Sequence, residues 1–248
     1  MASETSLSVV IPVMNEEDSI GKLITEIHSA LNEYPRFEIV IVDDGSSDQT
    51  LAMALATAKS LECPIQTIRH ERNAGQSCAV KTGVRYARGD LIVTIDGDGQ
   101  NDPADIPAML RRAETIGADD FCIAGYRKNR KDTPWKCFQS RLANRVRNAL
   151  LHDGVPDTGC GLKVLPRETF LKLPWFNHGH RFIPALVKAT GGLVDVVEVN
   201  HRHREQGISK YSAWNRAWVG IVDLMGVMWL IRRMPVIRIS EPHDAGQS

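Results

Sequence analysis

The chain has no surplus of charge of either sign, since 30 lysine and arginine residues are balanced by 30 aspartate and glutamate residues. A protein that holds nucleic acid through its phosphates needs an excess of positive charge on the binding domain. The composition therefore does not favour a general nucleic-acid binder, and we expect no nucleic-acid partner. The length of 248 residues is enough for one large domain or two small ones with a sizeable core.

Cysteine is scarce, and the cysteines that are present form no pattern. There are five of them, an odd number, and none of their spacings is that of a paired metal site. We therefore expect reduced thiols in a cytosolic protein rather than disulfides or a zinc site. The first residues also lack the basic segment and apolar core of a secretory signal, so secretion is not expected.

Long apolar runs are absent as well. A membrane-spanning helix needs about 20 apolar residues, whereas the best candidate, residues 217–231, is shorter and contains Asp223. We expect a chain that touches a membrane without crossing it. An apolar stripe in the last helix is often buried core, but its three tryptophans and the following Arg232 and Arg233 favour the membrane interface. The stripe consists of Trp214, Trp218, Ile221, Val222, Met225, Met228 and Trp229.

Short β-branched runs alternate with amphipathic segments over the first half of the chain. The runs predict strands at residues 8–13, 37–42, 65–68, 91–95 and 119–125, and the segments between them predict helices at 15–31, 51–61, 75–87 and 104–116. Such alternation predicts right-handed crossovers and a parallel sheet. The fold class is therefore α/β, a single Rossmann-like domain with a mostly parallel central sheet flanked by helices. In the second half, a glycine-rich turn at 157–164 leads into a further strand, and another strand is expected at 193–199.

The stretch at residues 91–103, LIVTIDGDGQNDP, carries the strongest functional signal. It reads as a buried strand that ends in Asp96 and Asp98, and residues two apart in extended chain point to the same side, so Gln100 can join them. Paired carboxylates repel unless a cation lies between them, and oxygen ligands suit Mg²⁺ or Mn²⁺. The alternative is a surface turn, because Asp-Gly pairs form turns readily.

Two other kinds of segment indicate ligand binding, although each has a simpler explanation. The second strand ends in DDGSSDQT, whose polar residues suit helix capping as well as hydrogen bonds to a nucleobase or ribose. A basic segment at residues 126–148 contains eight lysines and arginines. Such a run is usually a solvated face, yet cations beside Ser140 and Asn144 also suit phosphate groups. Arg181 at a helix start favours an anion as well.

These motifs, taken in order, resemble those of a known family. VVIPVMNEE, VDDGSSDQT, NAGQ, DGDGQNDP, AGYR, QSRLAN, DTGCGLKV and REQGISKY are similar to the motifs of family 2 glycosyltransferases with the A-type fold, most of all the dolichol- or polyprenyl-phosphate mannose synthase branch. The resemblance covers roughly residues 7–211. It implies a catalytic domain at 1–211 and an amphipathic, membrane-interfacial helix and tail at 212–248.

The resemblance also implies roles for individual residues. The metal, Mg²⁺ or Mn²⁺, would be held by Asp96, Asp98 and Gln100. The catalytic residues would be Asp96, Asp98, Arg127 and Arg204. The nucleotide-sugar donor would be bound by Pro12, Met14, Glu16, Val42, Asp44, Gly97, Arg181 and Lys210. The acceptor would be bound by Lys136, Ser140 and Arg141.

The implied activity is metal-dependent, inverting transfer of a sugar from GDP-mannose or a UDP-sugar to a polyprenyl or dolichyl phosphate. The enzyme would be cytoplasmic and peripheral on the inner face of the membrane, as a monomer or homodimer. A phosphate monoester is largely dianionic at neutral pH, because its second pKa is about 6, so it needs positioning rather than a base. Three departures from the family pattern leave the acceptor contacts and the sugar open: Lys136 in place of arginine, Cys160 in place of serine or threonine, and Ala185 in place of glutamate.

Three alternatives remain. The first is a family 2 enzyme with a polysaccharide or other hydroxyl acceptor, which would require a general base; Asp157 is the one candidate. The second is a sugar nucleotidyltransferase, although PVMNEE stands where that class has a glycine- and lysine-rich loop. The third is a nucleotide-sugar-binding scaffold without activity, which the intact acidic pair disfavours.

Overall fold

The structure is a computed structural model, and it describes residues 6–127, 144–202 and 213–235, without the side chains of residues 213–218. Five residues with roles implied by the sequence lie outside the described residues: Lys136, Ser140, Arg141, Arg204 and Lys210. The side chains of Trp214 and Trp218 are also outside the description.

Within these ranges the chain forms a seven-stranded sheet. The strands are β1 Leu7–Val13, β2 Phe37–Asp43, β3 Ile65–Arg69, β4 Leu91–Thr94, β5 Phe121–Tyr126, β6 Lys163–Pro166 and β7 Leu193–Glu198. Their order across the sheet is β3-β2-β1-β4-β6-β5-β7. β6 runs antiparallel to both of its neighbours, and the other pairs are parallel. The predicted α/β class with a mostly parallel sheet is therefore confirmed.

Helices cover both faces of the sheet because successive strand residues point to opposite sides. The helices are α1 Ile20–Ala30, α2 Thr50–Ser60, α3 Gln76–Tyr86, α4 Ile106–Glu114, α5 144–151, α6 Arg167–Lys172, α7 Ile183–Ala189 and α8 Ala213–Arg233. Val9 and Ile11 belong to one core cluster with α1, α2 and α4, whereas Val10 belongs to a second cluster with α3, α6, α7 and α8.

The first helix begins later than the sequence indicates. The predicted helix spans residues 15–31, but α1 starts at Ile20. The backbone N–H of Asn15 donates to Ser46 Oγ (3.0 Å), and that of Glu16 donates to Thr50 Oγ1 (2.8 Å). These bonds tie the segment to the loop after β2, so it forms a turn at the carboxyl edge of the sheet instead of a helical turn.

Small residues recur every four positions along α3 and at its ends, at Gly75, Ala79, Gly83 and Ala87, and this spacing predicts close packing of the helix. A Cβ on Gly83 would overlap Val10 Cγ1 and lie 3.2 Å from Val42 Cγ2. The helix therefore rests directly on β1 and β2. This contact fixes the amino-terminal end of α3 over the edge of the sheet where the strand-end acids lie.

Replacing Gly83 with alanine should therefore lower the free energy of unfolding by roughly 1–3 kcal/mol, because the added methyl overpacks a filled interface. Denaturant unfolding would measure the change. The matched control is Gly226→Ala in α8, where a Cβ meets nothing within 4 Å and alanine is the better helix former. Equal effects in the two variants would contradict the packing account.

The last helix, α8, has two apolar faces. Val227 is fully buried, and Leu224, Met228 and Ile231 pack against the second core cluster. On the other face, Met225 and Trp229 are 65% and 62% exposed, together with Val219, Ile221 and Val222. Of the predicted stripe, Met228 packs on the core, whereas Ile221, Val222, Met225 and Trp229 are exposed. Nowhere in the described ranges does a helix combine the length and apolar character needed to cross a bilayer.

Candidate active site

The two acids of the central motif lie at the carboxyl edge of the sheet, directly after β4. The glycine between them is required by close approach, since a Cβ on Gly97 would lie 2.7 Å from Val13 Cγ1 and 2.9 Å from the Pro12 carbonyl oxygen. The end of β4 is thereby drawn against the end of β1. Asp98 Oδ1 accepts a hydrogen bond from the backbone N–H of Gln100 (3.2 Å), which turns the chain back toward the acids.

Two cavities meet at this acid pair. The first has a volume of about 330 Å³ and is lined by Pro12, Met14, Glu16, Asp44, Asn73 and Gly97, among others. The second has a volume of about 530 Å³ and is lined by Gln100, Arg127, Asn144, Asp157, His180 and Arg181, among others. Asp96, Asp98 and Gln76 line both cavities. The site can therefore hold two ligands whose polar ends face each other across the carboxylates.

The environment of Asp96 fits a bound cation. Burial and the neighbouring charge of Asp98 raise the pKa of Asp96 to about 6, although Lys163 and Arg127 act in the opposite direction. Gln76 Nε2 donates a hydrogen bond to Asp96 Oδ1 (2.7 Å), and a Cβ on Gly161 would overlap the carboxylate. The carboxylates of Asp96 and Asp98 and the amide oxygen of Gln100 would supply oxygen ligands, which Mg²⁺ and Mn²⁺ prefer. Within the described ranges, no cluster of three or more His, Cys, Asp or Glu side chains is suited to a metal.

Because a carboxylate must lose its proton to bind metal, metal affinity should fall as the pH drops through the pKa of Asp96, about 6. We expect Mn²⁺ alone, followed by electron paramagnetic resonance, to bind about threefold to fourfold more weakly at pH 5.5 than at pH 7.5. Unchanged affinity over this range would show that Asp96 is not a ligand.

Asp44 lies at the rim of the first cavity, but its carboxylate is used mainly within the protein. Its oxygens accept hydrogen bonds from the backbone N–H groups of Ala74 and Gly75 (2.8 Å each), and one of them lies 2.7 Å from His70 Nδ1. Asp44 therefore holds the start of α3, and this fixes Gln76 against Asp96.

Arg127 and Asp157 form a bidentate ion pair in the wall of the second cavity. Arg127 Nε donates to Asp157 Oδ2 (2.6 Å), and Nη2 donates to Oδ1 (3.1 Å). The side chains are only 10% and 4% exposed. Burial lowers the pKa of Arg127, but the hydrogen bond and charge of Asp157 outweigh it, so the pKa lies above its usual value. The proposal of Asp157 as a general base is therefore corrected, because both of its oxygens are engaged by a guanidinium.

The structure places most of the sequence-predicted residues of the described ranges at the site. Pro12, Met14, Glu16, Asp44 and Gly97 line the first cavity, and Gln100, Arg127 and Arg181 line the second. Arg181 thus lies on the side away from the predicted nucleoside pocket.

Val42 is the exception, because the prediction that it binds the donor does not agree with its position. Its side chain is fully buried beneath α3, next to Gly83, so it supports the first cavity without lining it.

Three further residues of the site were not assigned from the sequence. Gln76 contacts Asp96 directly, and His180 lines the second cavity. Lys163 is buried beneath the site, where its Nζ donates to the backbone oxygen of Cys160. Burial and the charges of Arg181, Lys163 and His178 lower the pKa of His180 well below its usual value, so His180 is neutral at pH 7. The NAGQ and DTGCGLKV motifs contain Gln76 and Lys163, but only the fold brings them together.

Two of the three departures from the family pattern, Cys160 and Ala185, lie in the described ranges, and they have different consequences. Cys160 is buried, and Asn101 Nδ2 lies 3.6 Å from its Sγ. A Cβ on Gly125 would lie 2.9 Å from the same sulfur atom. Cys160 therefore packs within the wall of the second cavity. Ala185 is buried in the second core cluster and does not line either cavity.

Comparison with known proteins agrees with this geometry. The family model of glycosyl transferase family 2 matches residues 8–173. The chain belongs to this family. This family 2 chain is 38% identical over 235 residues to the dodecaprenyl-phosphate galacturonate synthase of Rhizobium johnstonii, with 91% of this chain and 67% of that relative covered. It is 36% identical over 209 residues to the undecaprenyl-phosphate 4-deoxy-4-formamido-L-arabinose transferase of Pseudomonas paraeruginosa, with 84% and 60% covered. The chain thus spans 60 to 67% of the length of these relatives.

The fold of this family 2 chain is similar to that of glucosyl-3-phosphoglycerate synthase from Mycobacterium tuberculosis, which was crystallised with Mn²⁺, UDP-glucose and glycerol 3-phosphate. The TM-score is 0.66 at 18% identity, and the match covers 93% of this chain and 81% of that chain. At this identity the similarity establishes the fold alone. It confirms the A-type glycosyltransferase fold that the sequence motifs imply.

Proposed function

We propose that the protein transfers a sugar from a nucleotide-diphosphate sugar to a polyprenyl phosphate, with inversion at the anomeric carbon and with a divalent metal. The main observation that supports this proposal is the position of Asp96 and Asp98 at the junction of two cavities, one on each side of the acid pair. The two similar proteins described above have names that contain dodecaprenyl phosphate or undecaprenyl phosphate, and this supports a polyprenyl phosphate as the acceptor.

The donor nucleoside would occupy the first cavity. Pro12, Met14 and Glu16 supply one wall, and Asp44 at the rim fixes the opposite wall by holding the start of α3. The diphosphate would then point toward the acid pair. Asp96, Asp98 and Gln100 would hold Mg²⁺ or Mn²⁺, which when bound would neutralise the leaving nucleotide diphosphate. The Mn²⁺ in the similar crystal structure supports a divalent ion without selecting between the two.

The acceptor phosphate would occupy the second cavity. Arg181 is exposed there and Arg127 is partly buried, so both lie where a dianionic phosphate needs cations. The phosphate is the nucleophile and carries no proton that a base must remove. With Asp157 engaged by Arg127, positioning and charge are what these residues contribute. Attack from the cavity opposite the leaving group leads to inversion.

Five cationic or polar residues outside the described ranges complete the proposal. Lys136, Ser140 and Arg141 follow Arg127 in the chain, and we assign them to the acceptor phosphate. Arg204 follows Arg202, whose backbone N–H donates to the Gln100 carbonyl oxygen (3.0 Å). Arg204 follows Arg202 by two residues, and we assign it to the phosphates. Lys210 is assigned to the donor diphosphate.

The exposed face of α8 is proposed to lie on the cytosolic surface of the membrane that contains the acceptor. Asp223 is the one acidic residue of α8 in the sequence, and it faces His178 of the catalytic domain. Among the described side chains of α8, those on the exposed face before Arg232 are apolar, and this face ends beside Arg232 and Arg233, whose charge suits anionic lipid. On this proposal residues 1–211 form the catalytic domain and 212–248 the interfacial part.

The double variant Met225→Ser/Trp229→Ser should bind vesicles of anionic phospholipid at least about tenfold more weakly than wild type, because two large apolar side chains no longer leave water. Sedimentation of the protein with these vesicles would measure the binding. Met53→Ser removes a similarly exposed apolar side chain from α2 and should bind as wild type does. Equal binding by all three proteins would mean that α8 is not the contact.

The donor and the metal are tested together by label transfer. Radiolabelled UDP-sugars and GDP-sugars, including GDP-mannose, would be offered with undecaprenyl phosphate or dolichyl phosphate, and with Mg²⁺, Mn²⁺ or EDTA. We expect one donor to label the lipid fraction, and EDTA to abolish the transfer. If every donor fails although the protein binds nucleotide, the proposed activity is wrong, and water-soluble hydroxyl acceptors become the alternative.

A further inference from the structure

A wall segment, residues 175–181, separates the second cavity from helix α8. Its inner side contacts α3: Trp175 Nε1 donates to the Ser77 carbonyl oxygen (3.0 Å), and His180 Nδ1 lies 2.6 Å from Ser77 Oγ. Ser77 follows Gln76, which donates to Asp96. The wall segment is therefore linked through α3 to the acid pair, and it presents His180 and Arg181 to the cavity.

The outer side of the wall segment contacts α8 through a polar pair. His178 Nδ1 lies 2.9 Å from Asp223 Oδ2. His178 also has a left-handed backbone with φ of +63°, a conformation that a non-glycine residue keeps only when its surroundings hold it. The next three residues form the short turn Gly179–Arg181. A change at His178 therefore acts directly on the two residues that line the cavity.

The contact is not what holds α8 on the domain. Val227 is fully buried, and Leu224, Met228 and Ile231 pack on the second core cluster. Apolar burial of this extent outweighs one partly exposed polar contact. The Asp223 side chain, which is 20% exposed, can thus be changed without detaching the helix.

We propose that Asp223 is a positioning residue that acts through His178 to set His180 and Arg181 for the acceptor phosphate. Use of the acceptor then depends on how α8 is seated, so the helix that meets the membrane also prepares the site for a lipid substrate. The inference rests on the proposed function, since it assigns Arg181 to the acceptor side.

The test compares Asp223→Ala, His178→Ala and the double variant. Each single variant should lower kcat/KM for undecaprenyl phosphate about tenfold, as expected for loss of a hydrogen bond to a charged group. The double variant should be no worse than either single variant, because both remove the same contact. Binding of UDP or GDP, whichever matches the active donor, should stay within about twofold, because the nucleoside cavity is on the other side of the acid pair.

Two control variants separate positioning from general damage. Asp223→Asn keeps an acceptor oxygen and should stay within about threefold of wild type. Asp195→Ala breaks an ion pair with Arg112 elsewhere on the surface and should leave kcat/KM for the acceptor unchanged. Additive losses in the double variant, or an equal loss in Asp195→Ala, would overturn the proposal.

Hydrogen exchange gives a readout that does not depend on activity. The backbone N–H groups of Gly179, Arg181 and Phe182 donate within the turn, and they should exchange faster in Asp223→Ala but not in Asp195→Ala. Unchanged exchange at these amides would overturn the positioning role even if the enzyme is active. Absence of transfer by wild type, with faster exchange in the variant, would instead count against the proposed function.

Discussion

Replacing Asp98 with asparagine should lower kcat/KM for sugar transfer about a thousandfold. Asp96 and Asp98 face both cavities, and the amide of asparagine removes one of the two charges that would hold the metal. Loss of metal stabilisation at the leaving diphosphate corresponds to several kcal/mol, and each 1.36 kcal/mol is tenfold in rate. Steady-state transfer at saturating Mn²⁺ would measure it.

The matched control for this variant is Asp90→Asn. Asp90 precedes β4 at its other end and accepts a hydrogen bond from Ser6 Oγ (2.8 Å), so it is a strand-end acid far from both cavities. The transfer rate of the Asp90→Asn variant should stay within about twofold of that of the wild type. A protein that binds nucleotide sugars without catalysis would show no transfer, either as wild type or in these variants. Full activity of Asp98→Asn would show that the acid pair is not part of the mechanism.

Replacing Arg127 with alanine should lower both activity and stability. The variant leaves the Asp157 carboxylate buried and without its guanidinium partner, and breaking a buried pair in this way costs about 3–5 kcal/mol of the free energy of unfolding. Removal of one preorganised cation from the phosphate site should also reduce kcat about a hundredfold. Denaturant unfolding and steady-state kinetics would report the two effects separately.

An exposed ion pair provides the control. Arg112 and Asp195 have side chains that are 46% and 34% exposed, and such pairs contribute about 0–1 kcal/mol. Arg112→Ala should therefore leave kcat unchanged and lower the free energy of unfolding by no more than about 1 kcal/mol. If Arg127→Ala is no more damaging than Arg112→Ala, the pair with Asp157 is not part of the site.

Local sequence pattern was sufficient to predict the sheet and one edge of the site. Strands that end in acids deliver those acids to the carboxyl edge of a parallel sheet, so Asp96, Asp98 and Asp44 were correctly placed there. The small residues around Gly83 likewise predicted close packing of α3. In these cases the residues that signal the feature are close together in the chain.

The opposite wall could not be predicted, because it depends on a non-local pairing. β6 enters antiparallel between β4 and β5, and this brings Gly161 and Lys163 against Asp96. No local pattern reveals which strand will pair with β4. For the same reason Asp157 was proposed as a base, although in the folded chain its carboxylate pairs with Arg127. Val42 was likewise assigned to a cavity that its buried side chain does not reach.

The most direct test of the account compares two acceptors that differ only in their reacting group, undecaprenyl phosphate and undecaprenol. Both would be presented in the same detergent, with the active donor and Mn²⁺, and transfer of label to the lipid would be measured. We expect transfer to the phosphate and none above background to the alcohol, because the second cavity offers cations for a phosphate and, among its described residues, no carboxylate acting as a base. Transfer to undecaprenol at a comparable rate would contradict it.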